Sequence, residues 1–91
     1  MAIEKVLVID DDELIRRFLQ ETLTRKQLDV TVVENGTKAV QALKNSSFDL
    51  IITDMKLPDI TGIEIIKKAK ELLPHAIVIA ITGFGTIEHA V

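Results

Sequence analysis

The stretch Val6-Leu7-Val8-Ile9-Asp10-Asp11-Asp12-Glu13 decides how the chain must fold. Four consecutive aliphatic residues, within a run from Ile3 to Ile9, lack the polar alternation of a half-exposed strand. They suit a strand buried on both faces, as in a parallel sheet. Three aspartates follow with no turn-forming glycine or proline between them. From Glu13 to about Arg25 the spacing changes to the helical period, with Leu14, Ile15, Phe18, Leu19 and Leu23 forming one apolar stripe. Arg16, Arg17, Gln20, Glu21 and Thr24 are expected to face away, and Asp11 or Asp12 to cap the helix start.

The same alternation recurs downstream. Val30 to Glu34 reads as a second strand, closed by Asn35-Gly36, and Thr37 opens a short helix carrying Ala39, Val40 and Leu43. Asn45-Ser46-Ser47 ends it. Phe48 to Thr53 is a third strand, followed by Asp54 and a loop with Pro58 and Asp59. Gly62 leads into a helix with the stripe Ile65, Ile66, Ala69, Leu72 and Leu73, stopped by Pro74. Ala76 to Ile81 is a fourth strand, and Thr82-Gly83-Phe84-Gly85 is a loop before a helix that has only begun at Val91. Strand-helix alternation implies parallel strands with helices on both faces. In such sheets ligands bind at the carboxyl ends of the strands. Asp10, Asp11, Asp54 and Thr82 should therefore share one edge.

Composition bounds what that edge can serve. A length of 91 residues permits one domain, read as 1–91, and 47% hydrophobic residues with 3% aromatics give a core of Ile, Leu and Val. There is no Cys, which excludes disulfides, thiolate metal sites and thiol chemistry. A net charge of -3 argues against a basic face that grips nucleic acid, so DNA contact would need another domain. No apolar stretch reaches a membrane span and no signal-peptide layout is present, which reads as cytoplasmic.

Three carboxylates converging at one edge repel one another unless a cation neutralises them. Oxygen-only ligands favour a hard cation, and Mg2+ typically takes one or two carboxylates, waters and phosphate oxygens. Asp54 can then bind metal through one oxygen and attack phosphorus with the other, giving an acyl phosphate. Thr82 can donate its hydroxyl to a phosphoryl oxygen. Simpler roles compete: acids after a strand cap helices, Asp54 alone could be a turn residue, and Thr82 a turn hydroxyl. His75 and His89 lack ligand spacing and read as surface residues. Lys67, Lys68 and Lys70 read as a solvated helix face.

Three segments together resemble the receiver domain of response regulators, the phosphoacceptor module of bacterial two-component signalling. They are Val6 to Glu13, Asp54-Met55-Lys56-Leu57-Pro58-Asp59-Ile60-Thr61-Gly62-Ile63-Glu64, and Ile81-Thr82-Gly83-Phe84-Gly85. The resemblance implies a flavodoxin-like fold, with parallel order 2-1-3-4 here and the family's fifth strand and fifth helix missing. It implies Asp10 and Asp11 as the Mg2+-holding pair, Asp54 as the phosphorylated aspartate and the Met55 backbone carbonyl as a further metal ligand. It makes Thr82 the switch hydroxyl. The implied donor is a sensor histidine kinase or phosphotransfer protein, and the output domain lies beyond this chain. On this reading the protein is not an enzyme, although it assists its own phosphorylation and dephosphorylation.

The last segment, with Thr86-Ile87-Glu88-His89-Ala90-Val91, also resembles receivers attached to sigma-54-dependent activators. The family's lysine at the end of the fifth strand has no counterpart, so phosphorylation and signalling by this chain are expected to be impaired. The fourth strand is expected to present an unpaired edge open to swapping or homodimer formation. Phe84 is not a substitute for the family's aromatic switch residue. Two rivals remain: a magnesium-dependent phosphohydrolase of the haloacid-dehalogenase type, with Asp10-x-Asp12 as its acid pair, and a phosphorylation-independent binding module.

Overall fold

The computed structural model describes residues 2–81 and the backbone of residues 87–89. Strand β1 (Lys5–Ile9) lies inside the sheet, parallel to β2 (Asp29–Val33) on one side and β3 (Leu50–Asp54) on the other. Strand β4 (Ile77–Ile81) continues the parallel set beyond β3. The order β2-β1-β3-β4 is the expected one. Parallel neighbours require crossovers, supplied by α1 (Glu13–Arg25), α2 (Gly36–Asn45) and α3 (Gly62–Leu72).

The aliphatic run is buried because each face of the sheet has its own core. The two-residue period of β1 sends Leu7 and Ile9 to one face, where they join Ala39 and Leu43 of α2 and Ile65 and Ala69 of α3. Val6 and Val8 face the other way with Ile52, against Leu19 and Leu23 of α1. The opposite end of the strand is tied by Asp49, whose carboxylate accepts from the Glu4 and Lys5 amides at 2.9 and 3.0 Å. Those bonds hold Asp49 below its ordinary pKa.

The apolar stripe of α1 proves narrower than the sequence suggests. Ile15, Leu19 and Leu23 are half-buried, whereas Leu14 and Phe18 are 72% and 66% exposed. At 100° per residue, a face centred on Ile15 and Leu19 leaves Leu14 and Phe18 on the flank. Arg16 also departs from the expected outward position. It is half-buried, and its Nη1 donates to the Asp10 carbonyl at 2.8 Å.

A second correction concerns the end of the chain. Of the residues read as the onset of a helix, three form a short strand, β5 (Ile87–His89), antiparallel to β4 and paired from Ile79↔His89 to Ile81↔Ile87. The edge of β4 is therefore not left unpaired, as the sequence reading had it. The open N–H and C=O groups of β4 offer β5 immediate partners. This β5 is not a parallel continuation of the sheet.

Helix α1 ends in a Schellman arrangement: Gln27 N–H donates to the Thr24 carbonyl at 2.9 Å and Leu28 N–H to the Leu23 carbonyl at 3.3 Å. Gln27 sits at φ 65°, a left-handed conformation that costs a side-chain-bearing residue about 1 kcal/mol. Gln27→Gly should therefore raise stability by up to about 1 kcal/mol, read as a higher urea midpoint with an unchanged slope.

Candidate functional site

The carboxyl ends of β1 and β3 are neighbours, so Asp10, Asp11 and Asp54 meet. One carboxylate oxygen from each lies within 4.8 Å of the others. Asp10 and Asp54 are only 3% and 8% exposed, while Asp11 is open to solvent.

Each acid of the triplet has a different local fate. Asp10 is fixed at its backbone by its own N–H to the Val33 carbonyl at 3.2 Å and by Arg16 at its carbonyl. Its Oδ1 accepts the Asp12 amide at 2.9 Å. Asp12 turns outward and caps α1, its Oδ1 accepting from Leu14 N–H at 2.9 Å. Asp11 sits between them, beside Asp54. The expected alternation between Asp11 and Asp12 as the cap thus resolves in favour of Asp12.

Asp54 closes β3. Its Oδ1 accepts the Lys56 amide at 3.1 Å, the Thr53 hydroxyl donates to its carbonyl at 3.0 Å, and the next amide, Met55 N–H, donates to Ile81 at 3.0 Å. The turn then closes on Gly62, whose amide donates to the Met55 carbonyl at 3.1 Å. A Cβ on Gly62 would lie 2.6 Å from Met55 Cα and 2.9 Å from the Asp54 carbonyl oxygen, so only glycine fits. The bond from Gly62 commits one lone pair of the Met55 carbonyl to the turn and leaves one.

Burial pushes the Asp10 carboxyl above its ordinary pKa; the Asp12 amide works against this, and the charges of Asp54, Asp11 and Asp12 reinforce it. Arg16 does not relieve the repulsion, because its guanidinium meets the Asp10 backbone and not the carboxylates. A desolvated acid beside two others, all oxygen donors, fits a hard divalent cation bound partly by protein and partly by water or phosphate.

Thr82 lies outside the described residues, as do Phe84 and the side chain of His89. His75 is exposed in the turn between α3 and β4, away from the acids. Lys67 and Lys70 are exposed on α3, and Lys68 lies 3.9 Å from Glu71, consistent with a solvated face. Two residues that sequence reasoning did not single out take part in the surroundings of the site. Arg16 is one; its only signal was its place in the second turn after the acids. Asp59 is the other. Its carboxylate accepts from Gly36 N–H at 2.8 Å, Thr37 N–H at 2.9 Å and the Thr37 hydroxyl at 2.6 Å. Those donors, the Thr37 hydroxyl first, lower its pKa to about 2.

An open α/β sheet with a carboxylate cluster at its carboxyl edge defines a flavodoxin-like, ligand-binding class. Within that class the response regulator receiver domain model matches residues 6–91, and the chain belongs to that family. It is 35% identical over its full length to the response regulator protein PilR of Pseudomonas aeruginosa, of which it spans only 20%. A Burkholderia pseudomallei response regulator, solved with a phosphorylated aspartic acid, calcium ion and citrate, is similar at 29% identity and TM-score 0.84, over 88% of this chain and 47% of that one. The Thermotoga maritima response regulator TrrA, solved with Mg2+ and BeF, is similar at 30% identity and TM-score 0.81, over 88% of this chain and 70% of that one. Among the described residues no helix is long and apolar enough to cross a membrane.

The elevated Asp10 pKa sets the direction of a pH effect. Between the ordinary carboxyl pKa of 3.8 and the raised folded value, the native state holds more proton than the unfolded one, so stability falls as pH rises. With chelator present, Asp10→Asn should remove that fall and become more stable than the parent above the window. Millimolar Mg2+ should stabilise the parent and not the variant. Urea titrations from pH 4 to 8, with and without Mg2+, give both comparisons.

Proposed function

We propose that this chain is a phosphoacceptor: Asp54 takes a phosphoryl group from a phosphohistidine of a sensor histidine kinase or phosphotransfer protein, and passes a conformational change to an output domain or partner. The observation that carries this reading is the meeting of Asp10, Asp11 and Asp54 around a position within reach of all three. These three would hold Mg2+, with the remaining lone pair of the Met55 carbonyl as a further ligand. The cation, when bound, supplies neutralisation of the acids and of charge developing on the phosphoryl oxygens.

The protein's own part is positioning. The Lys56 amide holds Asp54 Oδ1, leaving the carboxylate oriented for attack on phosphorus by its other oxygen. The new O–P bond forms as the P–N bond to the donor imidazole breaks, and the imidazole retains its electron pair and takes up a proton. Thr82, the residue after β4, is proposed to donate its hydroxyl to a phosphoryl oxygen. Residues 1–91 act in this reading as one receiver unit in the cytoplasm. The short share of PilR that the chain spans fits a receiver joined to a larger output.

Asp12 weighs against the phosphohydrolase alternative, which needs Asp10-x-Asp12 as its acid pair, because Asp12 is spent on the cap of α1. The donor protein also needs a surface beside the acids. Leu14 and Phe18 at the start of α1 and Ile63 at the start of α3 are exposed apolar residues near that edge.

Incubation with Mg2+ and acetyl phosphate should add one phosphoryl group to the Asp54 peptide, abolished by Asp54→Asn and by chelation. Label on Asp10 would overturn the reading in favour of a phosphohydrolase, and partner binding unchanged by Asp54→Ala would favour a simple binding module. Replacing Leu14 and Phe18 together by Ser should slow transfer from a protein donor about tenfold or more. The acetyl phosphate reaction should stay unchanged.

A further inference from the structure

Asp59 does more than the sequence around α2 requires. That helix already has its own cap, Asn35, whose Oδ1 accepts from Lys38 N–H at 2.9 Å. Asp59 arrives from the tip of the β3–α3 loop, 23 residues from Gly36 in sequence, and takes the two preceding amides and the Thr37 hydroxyl. The approach is close enough that a Cβ on Gly36 would lie 2.6 Å from Ile60 Cβ and 3.1 Å from Asp59 Oδ1. Leu57 and Ile60, flanking the tip, pack against the core under α2 and α3.

The two ends of this contact lead to different acids. On one side, four residues separate Asp59 from Asp54, and the loop they begin is closed by Gly62 N–H on the Met55 carbonyl and by the Lys56↔Thr61 bridge. On the other, Gly36 and Thr37 follow the end of β2, where the Val33 carbonyl receives the Asp10 amide. The Asp59–Thr37 contact therefore links the Asp54 turn to the corner that backs Asp10.

We infer that Asp59 and Thr37 form a positioning clamp that sets the spacing of Asp54 from Asp10 and Asp11, and thereby the affinity of the acid cluster for a divalent cation. The inference rests on the proposed reading of those acids as a cation and phosphoryl site. Asp59 and Thr37 touch no reacting atom; they act through the loop.

The test compares four variants with the parent in calorimetric Mg2+ titrations at pH 7, at a temperature where each is fully folded by circular dichroism. Asp59→Asn keeps the size of the side chain but replaces an accepting oxygen by a donor. Thr37→Val removes only the hydroxyl, and Thr37→Ser restores it. Asn35→Ala, which deletes the local cap of the same helix, controls for stability alone. Loss of supporting contacts around metal ligands typically weakens binding by about tenfold or more, so Asp59→Asn should raise the Mg2+ dissociation constant by about tenfold. Thr37→Val should follow in the same direction, Thr37→Ser should return to the parent value, and Asn35→Ala should lower the melting temperature without changing Mg2+ affinity.

The Lys56 amide resonance, which reports the bond to Asp54, should shift in Asp59→Asn and not in Asn35→Ala. The clamp is overturned if Asp59→Asn lowers only the melting temperature, or if Asn35→Ala weakens Mg2+ to the same extent. A parent that binds no Mg2+ would instead remove the site reading, and the clamp with it. The two failures are thus distinguishable.

Discussion

The burial of β1 between two parallel neighbours is the constraint from which the rest of the structure follows. A strand with Val6, Leu7 and Val8 fully buried has no solvent face, so both sides of the sheet must carry helices. Those helices can only arrive by crossovers, which carry the strands' carboxyl ends to a common edge. Ile9 is the last residue of the strand and Asp10 the first beyond it, with no spacer between core and site. Asp10 is consequently desolvated by the packing that stabilises the fold. The elevated pKa follows from that same burial, with repulsion from its acidic neighbours added.

Aspartate is used here for several physically different tasks, and surroundings separate them. Asp49, half-buried, and Asp59, exposed, receive backbone N–H groups and are held in the charged form. Asp12 receives one amide as a helix cap. Asp10 and Asp54 each accept a single amide, at the adjoining ends of two buried strands. Asp49 and Asp59 stabilise the fold by being ionised. Asp10 and Asp54 keep carboxylates close together at a cost in repulsion, a cost that a bound cation would offset.

How much of this was legible depended on the range of the interaction. Strand order, the three helices and the convergence of Asp10, Asp11 and Asp54 were readable because they follow from local period and from the topological rule for parallel sheets. The width of the α1 face was not. Leu14 and Phe18 satisfy the helical period as well as Ile15 and Leu19 do, and only the position of the sheet decides which pair is covered. Strand β5 was missed because the competing force, open hydrogen-bonding groups on β4, belongs to another segment. Arg16 and Asp59 were missed for the same reason: an arginine folding back onto a carbonyl six residues earlier, and an aspartate capping a helix across 23 residues, leave no local pattern.

Backbone contacts, that of Arg16 among them, hold the three nearby acids in a defined arrangement. Convergence of strand ends brings carboxylates to within a few ångströms, but their mutual repulsion favours any motion that separates them. Resisting that motion requires bonds at the backbone, away from the carboxylates themselves. Arg16 and the Val33 carbonyl supply them for Asp10. For Asp54 they come from the Ile81 carbonyl, through the Met55 amide, and from the close fit of Gly62. Contacts to main chain restrain position without engaging the carboxylate oxygens themselves. A salt bridge to the carboxylates would have done the opposite. The placement of Arg16 on a carbonyl keeps its hydrogen bond off the carboxylates, which suits a cluster that could hold a cation.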